Sequence, residues 1–235
     1  MAQPSTVLTP HFFDELARLK QSLVAEGQVV KIRLSTAMQG LMDEDIDALD
    51  EVAIGDASVN AMQVSIDDQA FKLLALYHPV AVDLRVVVAA IKINSDLERV
   101  GDLAVNIAEA ARRYFATGQR IEMTFLPRMA EIAETMLENA LQAFVSGSLG
   151  LAQSVLERDD ALDSLRAQAY RKLVDVMTEQ GRRTPAALEL MSIARHLERI
   201  GDHATNVAED VFFIVAGEDV RMQTLGAPGQ SNRGV

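Results

Sequence analysis

Along most of the chain, apolar residues recur in alternating three- and four-residue steps, the period of one buried helix face. Phe13, Leu16, Leu23, Val30, Leu34, Ala37 and Leu41 keep this rhythm or multiples of it, with Lys20 and Gly27 as interruptions. The spacing predicts a long first helix that fades near Gly40, with Thr9 as N-cap and Pro10 in the first turn. The acidic run DEDIDALDE opens a second helix, because carboxylates favour a helix N-terminus, and this helix continues to about Tyr77. Pro79, within YHPVAVDLR, ends it. A third helix runs through VVVAAIKINSDLERVGDLAVNIAEAARRYF to the TGQR turn. A fourth covers about Leu126 to Val145, a fifth about Leu151 to Glu179 after the turn SGSLG, and a sixth follows QGRRTP to about Ala216. No strand-like alternation stands out. The aperiodic tail LGAPGQSNRGV is expected to be disordered.

One phrase occurs twice. DLERVGDLAVNIAE (Asp96 to Glu109) returns as HLERIGDHATNVAE (His196 to Glu209). Glu98, Asp102, Asn106 and Glu109 map onto Glu198, Asp202, Asn206 and Glu209 at an offset of 100. Upstream, Asp56 and Asn60 map onto Asp159 and Asp163 at an offset of 103. The difference places a three-residue length change in the loop before the last helix of each half. The expectation is an all-α chain of two tandem three-helix bundles, six long antiparallel helices in all. Residues 1–120 form the first bundle, 121–217 the second, and 218–235 the tail.

The repeated phrase also carries the candidate chemistry. Positions i and i+4 lie about 40° apart on a helix, so Glu98 and Asp102 share a face. Glu109 returns to within roughly 20° of Glu98, and Asn106 sits about 80° away at the edge of the stripe. Like charges at this spacing cost a few tenths of a kcal/mol, roughly, so one pair would mean no more than a solvated face. Here the D/E-x-x-x-D/N spacing occurs four times: Asp56 with Asn60, Glu98 with Asp102, Asp159 with Asp163, Glu198 with Asp202. If neighbouring helices turn these couplets toward each other, the oxygens converge, which is unfavourable without a cation and favourable with one. Such donors suit magnesium, calcium, manganese, iron or zinc. The neutral Asn60 weakens the first-half site relative to the second.

Composition narrows the partners. The formal net charge of −12 opposes nucleic acid and anionic lipid. With no cysteine, disulfides, thiolate metal sites and Cys nucleophiles are ruled out. The N-terminus lacks the pattern of a signal peptide, and no apolar stretch is long enough to span a bilayer, so a cytoplasmic location is expected. Arg99 and Arg199, beside the couplets, read as partners in interhelical salt bridges. Gly101 and Gly201 sit inside helices, where close helix approach or room for an ion would explain them. His196 and His203 face away from Glu198 and read as packing or surface residues; Asp83 and Arg85 read as helix capping and a first-turn charge.

Three functions compete. A ferritin-like di-iron enzyme needs Glu-x-x-His, but Gly101 and Gly201 stand three residues after Glu98 and Glu198. A purely structural helical protein would leave the recurrence of the acidic couplets without a cause. The third is a regulatory adaptor. DLERVGDLAVNIAE and HLERIGDHATNVAE resemble the paired signature of the PhoU family, and YHPVAVDLR resembles its Pro-Val-Ala-x-Asp-Leu-Arg junction. GDASVNAM and RDDALDSL occupy its Asp-x-x-Ile-Asp positions, though Val59-Asn60 stands where Ile-Asp is usual. The likeness runs from about Thr9 to Ala216.

The resemblance implies tandem three-helix bundles that bind multinuclear iron or zinc clusters, with manganese, magnesium or calcium as compatible alternatives. It implies negative regulation of phosphate uptake and of the phosphate-starvation response. The implied partners are the ATPase of a phosphate ABC transporter, a sensor histidine kinase and a second copy in a homodimer, without catalysis or membrane insertion. By that carry-over the metal residues are Asp56, Asn60, Glu98, Asp102, Asp159, Asp163, Glu198 and Asp202, with Asn106, Asn206, Glu109 and Glu209 secondary.

Overall fold

The computed structural model describes residues 10–54 and 57–217, and these contain helices and turns but no strand. Asp56, Thr9 and the expected tail lie outside the described residues. The first half contains α1 (Pro10–Asp43), α2 (Ile46–Ala53), α3 (Ala57–Tyr77) and α4 (Ala81–Ala116). The second contains α5 (Leu126–Ser146), α6 (Leu149–Glu179) and α7 (Thr184–Ala216), with one 3-10 turn, Gly181–Arg183, before α7.

The expected second helix is therefore divided. α2 starts where Asp45 caps it, its carboxylate accepting from the Ala48 backbone amide at 3.1 Å. It ends at Ile54, where its C-cap falls. The acidic run does open a helix, as the dipole argument requires. The hydrophobic period alone did not reveal that the helix stops after two turns.

Each half packs its helices around a largely apolar interior. α1 packs against α4, and Leu19, Leu23 and Leu34 on α1 and Ile93, Leu97 and Ile107 on α4 are all fully buried. Burying one such side chain contributes about 1.5–3 kcal/mol. Gly27 interrupts the apolar seam because α1 also crosses α5 there. A Cβ at that position would collide with the Leu141 side chain.

The two halves join chiefly through α4 and α7. Arg85 donates from Nε and Nη2 to the Ile214 carbonyl at 3.3 and 3.2 Å, and Lys92 meets Asp210 at 3.0 Å. Asp96 takes His203 Nδ1 at 2.8 Å and Asn206 Nδ2 at 3.2 Å, and Arg113 meets Glu189 at 3.0 Å. These partners run in opposite directions along the chain, so α4 and α7 are antiparallel. Arg85 is a capping residue as expected, but the helix end it caps belongs to the other half. His203 is a packing residue that also bonds across this seam. No helix among the described residues is long and apolar enough to cross a membrane.

Candidate metal centre

In the second half α6 presents Asp159 and Asp163, and α7 presents Glu198 and Asp202. The i, i+4 spacing puts each couplet on one helix face, and the two helices bring those faces together. Gly201 makes the approach possible. A Cβ there would lie 2.5 Å from Leu162 Cδ2 and 3.6 Å from Asp159 Oδ1, so the α6 carboxylate rests over the α7 backbone. Burial, then the charges of Asp202, Asp163, Asp160 and Glu198, push the Asp159 carboxyl up to about 6. Glu198 is raised by burial and by Asp202, against the opposing pull of Arg166. Asp202 is raised by burial and by Asp163, with His203, Arg166 and Arg199 pulling the other way. The charges of Asp163 and of these three acids on one another mark the four as one electrostatic group.

Arg166 already answers part of that charge. Its Nε lies 3.3 Å from Glu198 Oε1 and 3.7 Å from Asp163 Oδ1. It stands three residues after Asp163, one turn along the same face, so the sequence held a signal for it. The interhelical ion pair expected of Arg199 belongs to Arg166 instead. Arg99 differs from expectation as well. It lies 3.5 Å from Glu98 and 3.7 Å from Asp102, on its own helix, holding the first-half couplet from its flank.

The first half keeps Glu98 half-buried and Asp102 exposed on α4, while Asn60 is exposed on α3. Gly101 is not needed for close packing: a Cβ there would find Val30 Cγ2 at 3.7 Å and Val59 Cγ1 at 4.0 Å. Two of the secondary candidates turn elsewhere. Asn206 faces Asp96 in the α4–α7 seam, and Glu109 lies 3.8 Å from Arg113. Among the described residues, no three His, Asp or Glu side chains are drawn together tightly enough to hold a metal ion.

Three polar residues of the first half were not singled out from the sequence. Glu26 on α1 is fully buried, and neither carboxylate oxygen has a hydrogen-bond partner among the described residues. Burial, then the charges of Asp67 and Glu98, push its carboxyl up to about 8. Asn94 on α4 is buried and donates through Nδ2 to the Gln63 carbonyl at 3.0 Å and to Asp67 Oδ1 at 2.8 Å. The signal for Glu26 was its place in the apolar rhythm. It falls three residues after Leu23 and four before Val30, squarely on the core seam.

Two stretches, 23–111 and 126–211, each match the family described as PhoU domain. The chain belongs to the PhoU family. The phosphate-specific transport system accessory protein PhoU of Edwardsiella tarda is 33% identical over 210 residues, covering 89% of this chain and 86% of that one. A PhoU homolog from Caulobacter vibrioides (strain NA1000 / CB15N) is 34% identical over 211 residues, covering 89% and 92%. The crystal structure of PhoU from Pseudomonas aeruginosa superposes with a TM-score of 0.84 at 33% identity, covering 88% of this chain and all of that one (100%). The regulatory protein PhoU from Streptococcus pneumoniae gives 0.82 at 28% identity, covering 88% and 98%. The two PhoU matches begin 103 residues apart and end 100 apart, the same two offsets that relate the acidic couplets. The all-α tandem architecture is that of the PhoU structures, and the relatives' names attach the family to phosphate transport as accessory or regulatory proteins.

Proposed function

We propose that this protein is a metal-binding, non-catalytic adaptor that lowers high-affinity phosphate uptake and phosphate-starvation signalling. Its partners in this reading are the ATPase of a phosphate ABC transporter and a sensor histidine kinase, met in the cytoplasm by a homodimer. The observation that carries it is the convergence of Asp159, Asp163, Glu198 and Asp202 from two helices into one mutually repelling group. An all-oxygen donor set of facing acids fits a hard or borderline cation. Iron or zinc would be held by those four residues, and by Glu98, Asp102, Asn60 and Asp56 in the first half. A bound cation would supply positive charge to the acidic faces and fix α6 against α7. The chain's own residues shape the site: Arg99 holds its couplet from the flank, Arg166 competes with the cation for Glu198 and Asp163, and Gly201 sets the helix separation.

An adaptor also needs a surface for its partners. At the α3–α4 junction, Leu76 and Val80 are 70% and 65% exposed, with Phe71, Val82 and Leu84 exposed nearby. His78 and Ala81 on either side of Pro79 and Val80 hold φ of +47° and +51°, a backbone region that side chains rarely adopt and that clusters at functional sites.

The test is a double replacement, Glu198→Ala with Asp202→Ala. Native mass spectrometry should show loss of the second-half metal, and cells carrying the variant should take up phosphate without regard to supply. Unchanged metal stoichiometry removes the metal assignment. Intact control of uptake in cells lacking the protein removes the adaptor role.

A further inference from the structure

The first bundle buries a carboxylate that no interaction accounts for. Glu26 is 0% exposed, both of its oxygens lack partners among the described residues, and the charges acting on it, Asp67 and Glu98, are negative. Asn94, 1% exposed, turns its Nδ2 to Asp67 and Gln63 and leaves its Oδ1 without a partner as well. Leaving a buried acceptor unsatisfied costs about 1–3 kcal/mol, and more for a charged group.

The fold does not demand these polar groups. At the repeat offsets, Glu26 corresponds to Met129, Asp67 to Tyr170 and Asn94 to Ala194. Met129 and Ala194 are fully buried in the second half, where apolar side chains fill the same places on the same scaffold. The polar trio is peculiar to the first half. Beside it, one turn beyond Glu98, Gly101 bears no side chain, and a methyl there would rest in ordinary contact with Val30 Cγ2 at 3.7 Å and Val59 Cγ1 at 4.0 Å.

We infer that Glu26, Asp67 and the Asn94 amide oxygen form a second, interior cation site between α1, α3 and α4, lying inward of Glu98. Two carboxylates and one amide oxygen are too few for calcium, which takes six to eight oxygens. They suit a small hard divalent ion such as Mg²⁺ or Mn²⁺ that keeps part of its water shell. The site draws on α1, which carries none of the acidic couplets, so it does not depend on those couplets binding metal. The ion gives the unpartnered oxygens of Glu26 and Asn94 the positive neighbour that no side chain provides. It also ties α1 to α3 and α4 at the centre of the first core.

The experiment titrates Mn²⁺ into the full chain, stripped of metal by chelation, with calorimetry for affinity and native mass spectrometry for ion count. Glu26→Met, the residue the second half uses, should fold by circular dichroism and bind about one Mn²⁺ fewer per chain. Glu26→Gln, isosteric and neutral, should do the same and guards against a folding defect in the first variant. Asp102→Asn and the Glu198→Gln, Asp202→Asn pair report the couplets separately and should leave the interior ion in place. The inference is overturned if Glu26→Met and Glu26→Gln bind as many ions as the wild type with equal affinity. If the couplet variants lose ions while the Glu26 variants do not, the couplet reading stands and the interior site falls. If only the Glu26 variants lose one, the interior site stands without the couplets. No Mn²⁺ binding to the wild-type chain overturns the interior site outright.

Discussion

Where the second half buries Met129, the first half buries Glu26; where the second holds Arg166, the first holds Gln63. Both halves share the register of their apolar positions: Leu23, Val30, Leu34, Ala37 and Leu41 on α1 fall on Leu126, Ala133, Leu137, Ala140 and Phe144 on α5, all buried. The electrostatics differ on that common frame. The second half fills the equivalent interior positions with apolar Met129 and Ala194 and supplies a fixed cation, Arg166, which also stacks 5.6 Å over the Tyr170 ring. In the first half Arg99 reaches its couplet from the same helix and not across helices, and acid is placed inside. A repeated backbone plan therefore fixes where charges sit, and single residues decide what neutralises them.

The largest expected effect breaks this comparison by pH. A glutamate at 4.5 in the unfolded chain and at about 8 in the fold keeps its proton longer when folded. Its favourable contribution is complete below about pH 4.5, falls as pH rises, and is gone above about pH 8. Urea unfolding of the metal-free protein should show this decline, up to about 5 kcal/mol by linkage. Glu26→Gln should flatten it, and an unchanged slope between pH 5 and 8 (about that range, from the linkage argument) would show that Glu26 ionises freely in the fold.

Next come the equivalent glycines. Gly201→Ala forces a Cβ against the buried Leu162 and should destabilise by about 1–3 kcal/mol. Gly101→Ala meets ordinary contact distances and should stabilise by up to about 1 kcal/mol through helix propensity. Equal effects in chemical denaturation would mean that the two α-helical crossings are alike. Arg166→Gln copies Gln63 into the second half. Freed of its competing charge, that half should bind divalent metal about tenfold more tightly, roughly 1.4 kcal/mol, and calorimetry reads it directly. A weakened affinity would make Arg166 a supporting residue and not a competitor. The smallest effect is at the seam. Arg85→Gln loses the paired donation to Ile214 and should lower stability by about 1 kcal/mol, with hydrogen exchange rising at the C-terminal end of α7. Unchanged exchange there would deny Arg85 its capping role.

Read along the chain, the hydrophobic period was enough for the helices apart from the break between α2 and α3, and the doubled DLERVGD phrase was enough for the tandem plan, because both are local patterns with a fixed pitch. The couplets were legible for the same reason: i, i+4 spacing puts two carboxylates on one face whatever surrounds them. Pairing between distant segments was not legible. That Arg85 caps α7, that His203 meets Asp96, that Arg166 and not Arg199 bridges Glu198, and that Asp67 joins Asn94 all depend on which faces meet across helices remote in sequence. Glu26 lies between the two cases. Its position on the core seam is written in the sequence, but its lack of a partner is a property of every helix around it, and only packing decides that.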